Sequence, residues 1–211
     1  MDTKVKTVNA KSTVDLVNKA LTKAISYREY RDLVNRLVLE NKPTGPNQTD
    51  SYIHYTQLNT HRMKRWDKVL KFDQESVQKI NQLNEKLDWL VLTESWCGDA
   101  SPALPLMNKI AEINPNIKLK IILRDENLEL MQQFLTQGAL SIPKLIQINI
   151  NTNEVIGTWG PRSTKATKLV EDYKAEHGML SAEFKESLQL WYNKDKGQSI
   201  LEDLLELFPL K

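Results

Sequence analysis

Apolar residues recur at helical spacing from about residue 12 to 40, through Val14, Val17, Leu21 and Ile25 and then Tyr30, Leu33, Leu37 and Val38. This pattern predicts one bent helix or a pair. The breakers in Asn41-Lys42-Pro43-Thr44-Gly45-Pro46-Asn47 predict a loop, after which Thr49 or Asp50 can cap a helix running to about Leu70. Asp73 opens a third helical pattern through Val77, Ile80, Leu83 and Leu87. It leads directly into Trp89-Leu90-Val91-Leu92-Thr93, a short apolar run that suits a buried central strand.

Past Cys97, a helix through Leu104, Met107, Ile110 and Ile113 is stopped by Asn114-Pro115, and Ile117 to Leu123 reads as a second strand. Strand, helix and strand at this spacing imply a parallel crossover. Another helix is predicted from about Leu128 to Gln137, ending at Gly138. Lys144 to Ile150 and Glu154 to Trp159 read as strands joined by Asn151-Thr152-Asn153, an antiparallel hairpin. From Thr164 onward two or three helices follow, with breaks near Gly178 and Gly197.

Composition narrows the class without changing this outline. At 211 residues, 40% apolar and 27% charged, the chain fits one folded domain with additions. Its 29 basic and 27 acidic residues are well mixed, so neither nucleic acid nor an anionic membrane is expected as a partner. The N-terminal MDTKVKTVNAKST has no apolar h-region, and no stretch nears the roughly 18 apolar residues of a membrane span, so the expected location is cytoplasmic. One cysteine excludes an internal disulfide and leaves too few thiolates for a one-chain zinc or iron-sulfur site. His54, His61 and His177 lack metal-ligand spacing, and no Ser-His-Asp set, phosphate loop or dinucleotide glycine motif is present. No metal and no cofactor are expected.

The run Thr93-Glu94-Ser95-Trp96-Cys97-Gly98-Asp99-Ala100 follows a predicted strand and opens a predicted helix. It resembles the Trp-Cys-Gly-Pro-Cys motif of thioredoxins with its last cysteine replaced by Ala100. Pro105, eight residues past Cys97, matches the offset of the thioredoxin helix proline. Gly138-Ala139-Leu140-Ser141-Ile142-Pro143-Lys144-Leu145 resembles the segment that carries the family's cis-proline, which implies a cis Ile142-Pro143 bond. The resemblance spans about residues 73 to 177. Together with Asn59, Arg62 to Lys68 and Trp159-Gly160-Pro161-Arg162, the motif is similar to a bacterial group of extended thioredoxin-family proteins. It implies a three-layer α/β thioredoxin-like fold, with an N-terminal helical extension over 1–70, the core over 71–178 and a C-terminal helical extension over 179–211. Val91 stands where thioredoxins bear a buried aspartate six residues before the cysteine.

Chemistry then centres on Cys97. A helix N-terminus favours a thiolate, whereas the carboxylate of Asp99 two residues on disfavours it, so the sign of the shift stays open at this stage. With Ala100 in place of a second cysteine, a mixed disulfide needs an external thiol to resolve it. The resemblance therefore implies monothiol exchange at Cys97 with a thiol- or disulfide-containing protein or a low-molecular-weight thiol. Trp96, Gly98, Asp99 and Ala100 complete the motif, and Ile142, Pro143, Trp159, Gly160 and Arg162 form the expected partner groove. Arg162 is a candidate to stabilise a thiolate or an anionic ligand group, against a plain ion pair with a nearby acid. Arg124 and Asp125, at the carboxyl end of the second strand, are weaker candidates for which a structural ion pair is preferred. Ser101 reads as a first-turn hydrogen-bonding residue, and His61 to Lys68 as one solvated helix face with Met63 and Trp66 on its buried side. The alternative function is a redox-inactive adaptor that binds a protein or small molecule in the same groove.

Overall fold

In this computed structural model residues 13–209 are described. Most of the polar N-terminal segment considered above lies outside them. In chain order the elements are a helix over 13–21 (α1), Tyr27–Leu39 (α2), Asp50–Val69 (α3), Gln74–Asn81 (α4), Leu87–Thr93 (β1), Ala100–Ile113 (α5) and Ile117–Leu123 (β2). They continue with Leu128–Met131 (α6), Lys144–Asn149 (β3), Glu154–Trp159 (β4), Thr164–His177 (α7), Ala182–Asp195 (α8) and Gln198–Glu206 (α9).

Every residue of β1 is buried, as a strand with neighbours on both edges and helices on both faces requires. It pairs in parallel with β2 from Leu87↔Ile117 to Thr93↔Leu123, and antiparallel with β3, which pairs antiparallel with β4. The sheet order is β2-β1-β3-β4, and β4 alternates exposed and half-buried residues as an edge strand does. Beyond β2, Ile25 and Ile121 exchange backbone bonds of 2.8 and 2.7 Å, so the break between α1 and α2 is stitched to the other sheet edge. Helix α3 lies against α5, α2 against α3, and α9 against both α5 and α7. This is the layered α/β class expected from the sequence, with helices added on either side of the strand-helix-strand core.

Caps explain several boundaries. Ser26 and Glu29 close a capping box at α2, while Thr49 and Asp73 cap α3 and α4 through side-chain bonds to Tyr52 and Ser76 N–H. Two predicted helices are shorter than their apolar spacing implied. Helix α4 stops at Asn81 rather than reaching Leu87, because Asn114 Nδ2 donates to the carbonyls of Ile80 (2.7 Å) and Leu83 (2.9 Å). Those acceptors terminate the helix, and Leu87 opens β1. Helix α6 runs only to Met131 and tightens into a 3₁₀ turn over Gln132–Phe134. Gln137 and Gly138 both take positive φ (50° and 76°), and Thr136 and Ala139 exchange backbone bonds of 3.0 Å across them, a tight turn in place of the last helical turn. Strand β3 ends one residue early, at Asn149, whose side-chain oxygen accepts the N–H groups of Asn151 and Thr152 and starts the turn.

Candidate functional site

The segment between β1 and α5 is held from two directions. On one side Thr44 and Ser95 bond reciprocally: Thr44 N–H donates to Ser95 Oγ at 2.9 Å and Ser95 N–H to Thr44 Oγ1 at 2.8 Å. Thr56 Oγ1 lies 2.8 Å from Ser95 Oγ, and Asn59 Nδ2 donates to the Ser95 carbonyl at 3.0 Å, so α3 is pinned over the turn. Beneath it the buried Glu94 carboxyl accepts from Thr44 Oγ1 and from the Asp125 N–H (2.8 Å). Burial raises its affinity for a proton. On the other side, Gln189 of α8 donates to the Gly98 carbonyl (3.2 Å) and Tyr192 to Asp99 Oδ1 (3.3 Å). Both helical additions therefore anchor on residues 95–99.

Cys97 sits between these anchors, only 7% exposed, its thiol donating to the Ile142 carbonyl at 3.2 Å. The Ile142–Pro143 bond is cis, as is Gly160–Pro161. Loss of hydration pushes the Cys97 thiol up to about 12, and the Asp99 carboxylate adds to that rise. The backbone N–H groups of Ala100 and Asp99 and the Arg162 guanidinium oppose it without prevailing. The sign left open by the sequence is therefore upward. Arg162 Nη2 meets Asp99 Oδ2 at 2.7 Å in a pair whose side chains are 21% and 13% exposed. Its charge is committed to that carboxylate.

Above the cysteine, α3 and α8 roof a cavity of about 670 Å³. Trp96 forms one wall, stacked on Tyr52 with ring centroids 4.3 Å apart and planes 9° from parallel, with the Arg124 guanidinium 4.9 Å from its ring centre. Arg124 also pairs with Asp125 at 2.7 Å, the structural ion pair preferred above. Arg62 and Gln189 meet over Gly98: a Cβ on that glycine would come within 3.9 Å of Arg62 Nη1 and 3.7 Å of Gln189 Nε2. Among the described residues no His, Cys, Asp or Glu cluster suited to a metal ion occurs, and no helix is long and apolar enough to cross a membrane.

A family model described as thioredoxin matches residues 45–174, more than half of the chain. The chain belongs to the thioredoxin family. No curated protein gives a significant match. Two crystal structures share the fold: an HIV epitope scaffold, 17% identical with a TM-score of 0.54, and a protein of unknown function from Pseudomonas aeruginosa, 16% identical with a TM-score of 0.53. Each match covers 87% of this chain, and 97% and 96% of the respective structures.

Within this thioredoxin-family site the residues singled out from the sequence separate into two groups. Trp96, Cys97, Gly98, Asp99, Arg124, Ile142 and Arg162 line the cavity. Ala100 is buried in the first turn of α5, and Pro143 is buried beneath the turn, its carbonyl crossed by Gly160. A Cβ on Gly160 would lie 2.1 Å from that oxygen, and φ is +111°, so only glycine fits there. Trp159 turns away, its indole N–H donating to Asp203 of α9 at 3.1 Å. Pro143, Trp159 and Gly160 thus support the site from behind and do not line the cavity. Ser101 donates to the Gly98 carbonyl at 2.8 Å, the first-turn role expected of it.

Arg62 is the main correction. Residues 61–68 read as one solvated helix face, and Met63 and Trp66 are indeed buried, but Arg62 is half-buried and faces the cavity. The available signal was the α3 stripe Tyr52, Tyr55, Asn59, Arg62 and Trp66, whose three- and four-residue spacing puts Arg62 on the inward side. Gln189 and Tyr192 carried no motif, because they lie on an added helix that only the tertiary fold brings to Cys97.

Proposed function

We propose that this thioredoxin-family protein binds a small molecule in the cavity over Cys97 and keeps the cysteine as a neutral thiol in its resting state. The observation that carries the reading is the roof itself. Helices α3 and α8, both bonded to residues 95–99, cover the face where an open thioredoxin surface takes an extended protein segment. A walled volume of about 670 Å³ is in the range of small-molecule sites. The thiol bonded to the Ile142 carbonyl, Val91 at the usual acid position and Ala100 at the usual second cysteine agree with binding outlasting dithiol turnover.

A second reading, monothiol exchange, is favoured by the backbone N–H groups of Asp99 and Ala100, which stabilise a thiolate at Cys97. In that chemistry the thiolate attacks a low-molecular-weight disulfide, forming a mixed disulfide and releasing the other half as a thiolate. An external thiol then regenerates Cys97 by the reverse exchange. The two readings part at the rate of alkylation of native protein by iodoacetamide across pH, with Cys97→Ser as the blank. Slow labelling at pH 7 that climbs only above the free-cysteine value of about 8.5 supports the binding reading. Fast labelling at neutral pH, with an apparent pKa below that value, overturns it in favour of exchange.

A further inference from the structure

Four cationic side chains line the cavity, and they differ in what neutralises them. Arg124 is paired with Asp125 and Arg162 with Asp99. Lys185 is exposed at the mouth. Arg62 is different: half-buried, it donates from Nη1 to Asn59 Oδ1 at 3.1 Å, a neutral acceptor, and has no carboxylate within ion-pair distance among the described residues. The bond to Asn59 fixes the guanidinium, since Asn59 is itself buried and tied to the Ser95 carbonyl. Its other face is open toward Gly98 and the space above Cys97, and the absent side chain at Gly98 is what leaves that space clear. A sheltered cation with no ion-pair partner is costly to bury: burial lowers the proton affinity of Arg62, and the exposed Glu186 carboxylate on the same cavity wall, beyond ion-pair distance, offsets only part of that. A ligand carboxylate would offset that cost through charge-assisted bonds to a fixed donor fork.

We infer that the cavity selects a small organic monoanion, a carboxylate joined to an apolar or aromatic body, with Arg62 as its charge partner. One sheltered guanidinium without an ion pair matches one negative charge. The second charge of a dianion would meet arginines already paired with Asp125 and Asp99, or the solvated Lys185 on a wall that also carries the exposed Glu186 carboxylate. The body of the ligand has Tyr52, Leu58 and Leu188 to lie against, an apolar and aromatic surface on the same walls. This assignment rests on the small-molecule reading and goes beyond it by naming the ligand class.

The test uses the full chain and two probes of one shape, 2-naphthoate and its neutral counterpart 2-naphthamide, titrated by calorimetry. Wild-type protein should bind 2-naphthoate at least about tenfold more tightly than 2-naphthamide, the scale of a charge-assisted bond. Arg62→Gln should abolish that preference by weakening only the naphthoate, and Arg62→Lys should keep part of it. Circular dichroism and the melting midpoint verify that each variant is folded, and the wild-type ratio reads the charge preference without any variant. Equal binding of both probes to wild type would overturn the anion assignment while leaving the small-molecule reading standing. A preference that survives Arg62→Gln would overturn the role of Arg62. Failure of both probes to bind at millimolar concentration would overturn the small-molecule reading and this inference with it.

Discussion

Behind the Cys97 turn, Thr44, Thr56, Glu94 and Ser95 are buried and answered; in front of it, among the described residues, Trp96 Nε1 and Arg162 Nε are buried without a hydrogen-bond partner and Arg62 has no ion pair. Thr44, Thr56, Glu94 and Ser95 are all buried, and each has a partner on another element. On the cavity side Arg62 hydrogen-bonds only to the neutral amide of Asn59. A closed hydrogen-bond network specifies geometry, whereas an open one leaves interaction energy for something else to use. The rear knot fixes the turn and its roof; the front holds the open polar groups on which the small-molecule proposal rests.

The sharpest way to break this contrast is from behind. Glu94→Ala leaves Thr44 Oγ1 and the Asp125 N–H without their acceptor in a buried place, and should lower stability by about 3 kcal/mol in urea unfolding. Loss below about 1 kcal/mol would mean that the knot is not the scaffold argued for. Asp99→Asn tests the boundary between the two sides. It removes the counter-charge of Arg162 but keeps an acceptor, so a loss of about 2 kcal/mol is expected. The same change removes one cause of the raised Cys97 pKa and frees Arg162 to favour the thiolate, so both effects should speed iodoacetamide labelling at pH 8. Slower labelling in Asp99→Asn would contradict the electrostatic account.

The cysteine also leaves a signature in the pH dependence of stability. Well below the free-cysteine value of about 8.5 its thiol is protonated in folded and unfolded chains alike and contributes no slope. Above that, the unfolded chain gives up the proton while the folded chain holds it until about 12. Wild-type stability should therefore fall relative to Cys97→Ser by about 1.4 kcal/mol for each pH unit between these limits. Serine keeps a donor for the Ile142 carbonyl, so the comparison isolates the titration. Parallel curves for the two proteins from pH 8 to 10.5 would show that Cys97 is not shielded as described.

Much of the fold was legible because its signals are local. The limits of β2 and β4 follow from short apolar runs bounded by turns, and Thr49 and Asp73 cap the helices they precede. Helix α4 was misjudged where a tertiary partner overrides periodicity: Asn114, more than thirty residues away, takes the carbonyls that would have carried the helix toward Leu87. The site divides the same way. Trp96, Cys97 and Ile142 were found from contiguous motifs, and they do line one cavity. The roof was not legible, because Gln189 and Tyr192 reach residues 98 and 99 across about ninety positions of chain, and no spacing rule spans that gap. The direction of the Cys97 shift was undecided for the same reason, since desolvation depends on what covers the thiol and a sequence does not show its cover.

The gentlest perturbation comes from the front. Tyr52→Ala removes the ring stacked on Trp96 and opens the cavity wall without touching the Thr44, Ser95 and Glu94 knot. Tyr52 is only half-buried, so the cost should be about 1 kcal/mol, the scale of one aromatic pair with its modest burial. If the front exists to hold a ligand rather than the fold, the larger consequence is access: iodoacetamide should reach Cys97 faster at a fixed pH while the apparent pKa of the labelling curve stays where it was. A stability loss near that of Glu94→Ala, with no gain in labelling, would show that the cavity wall is part of the scaffold, and the distinction between the two sides of the turn would fall.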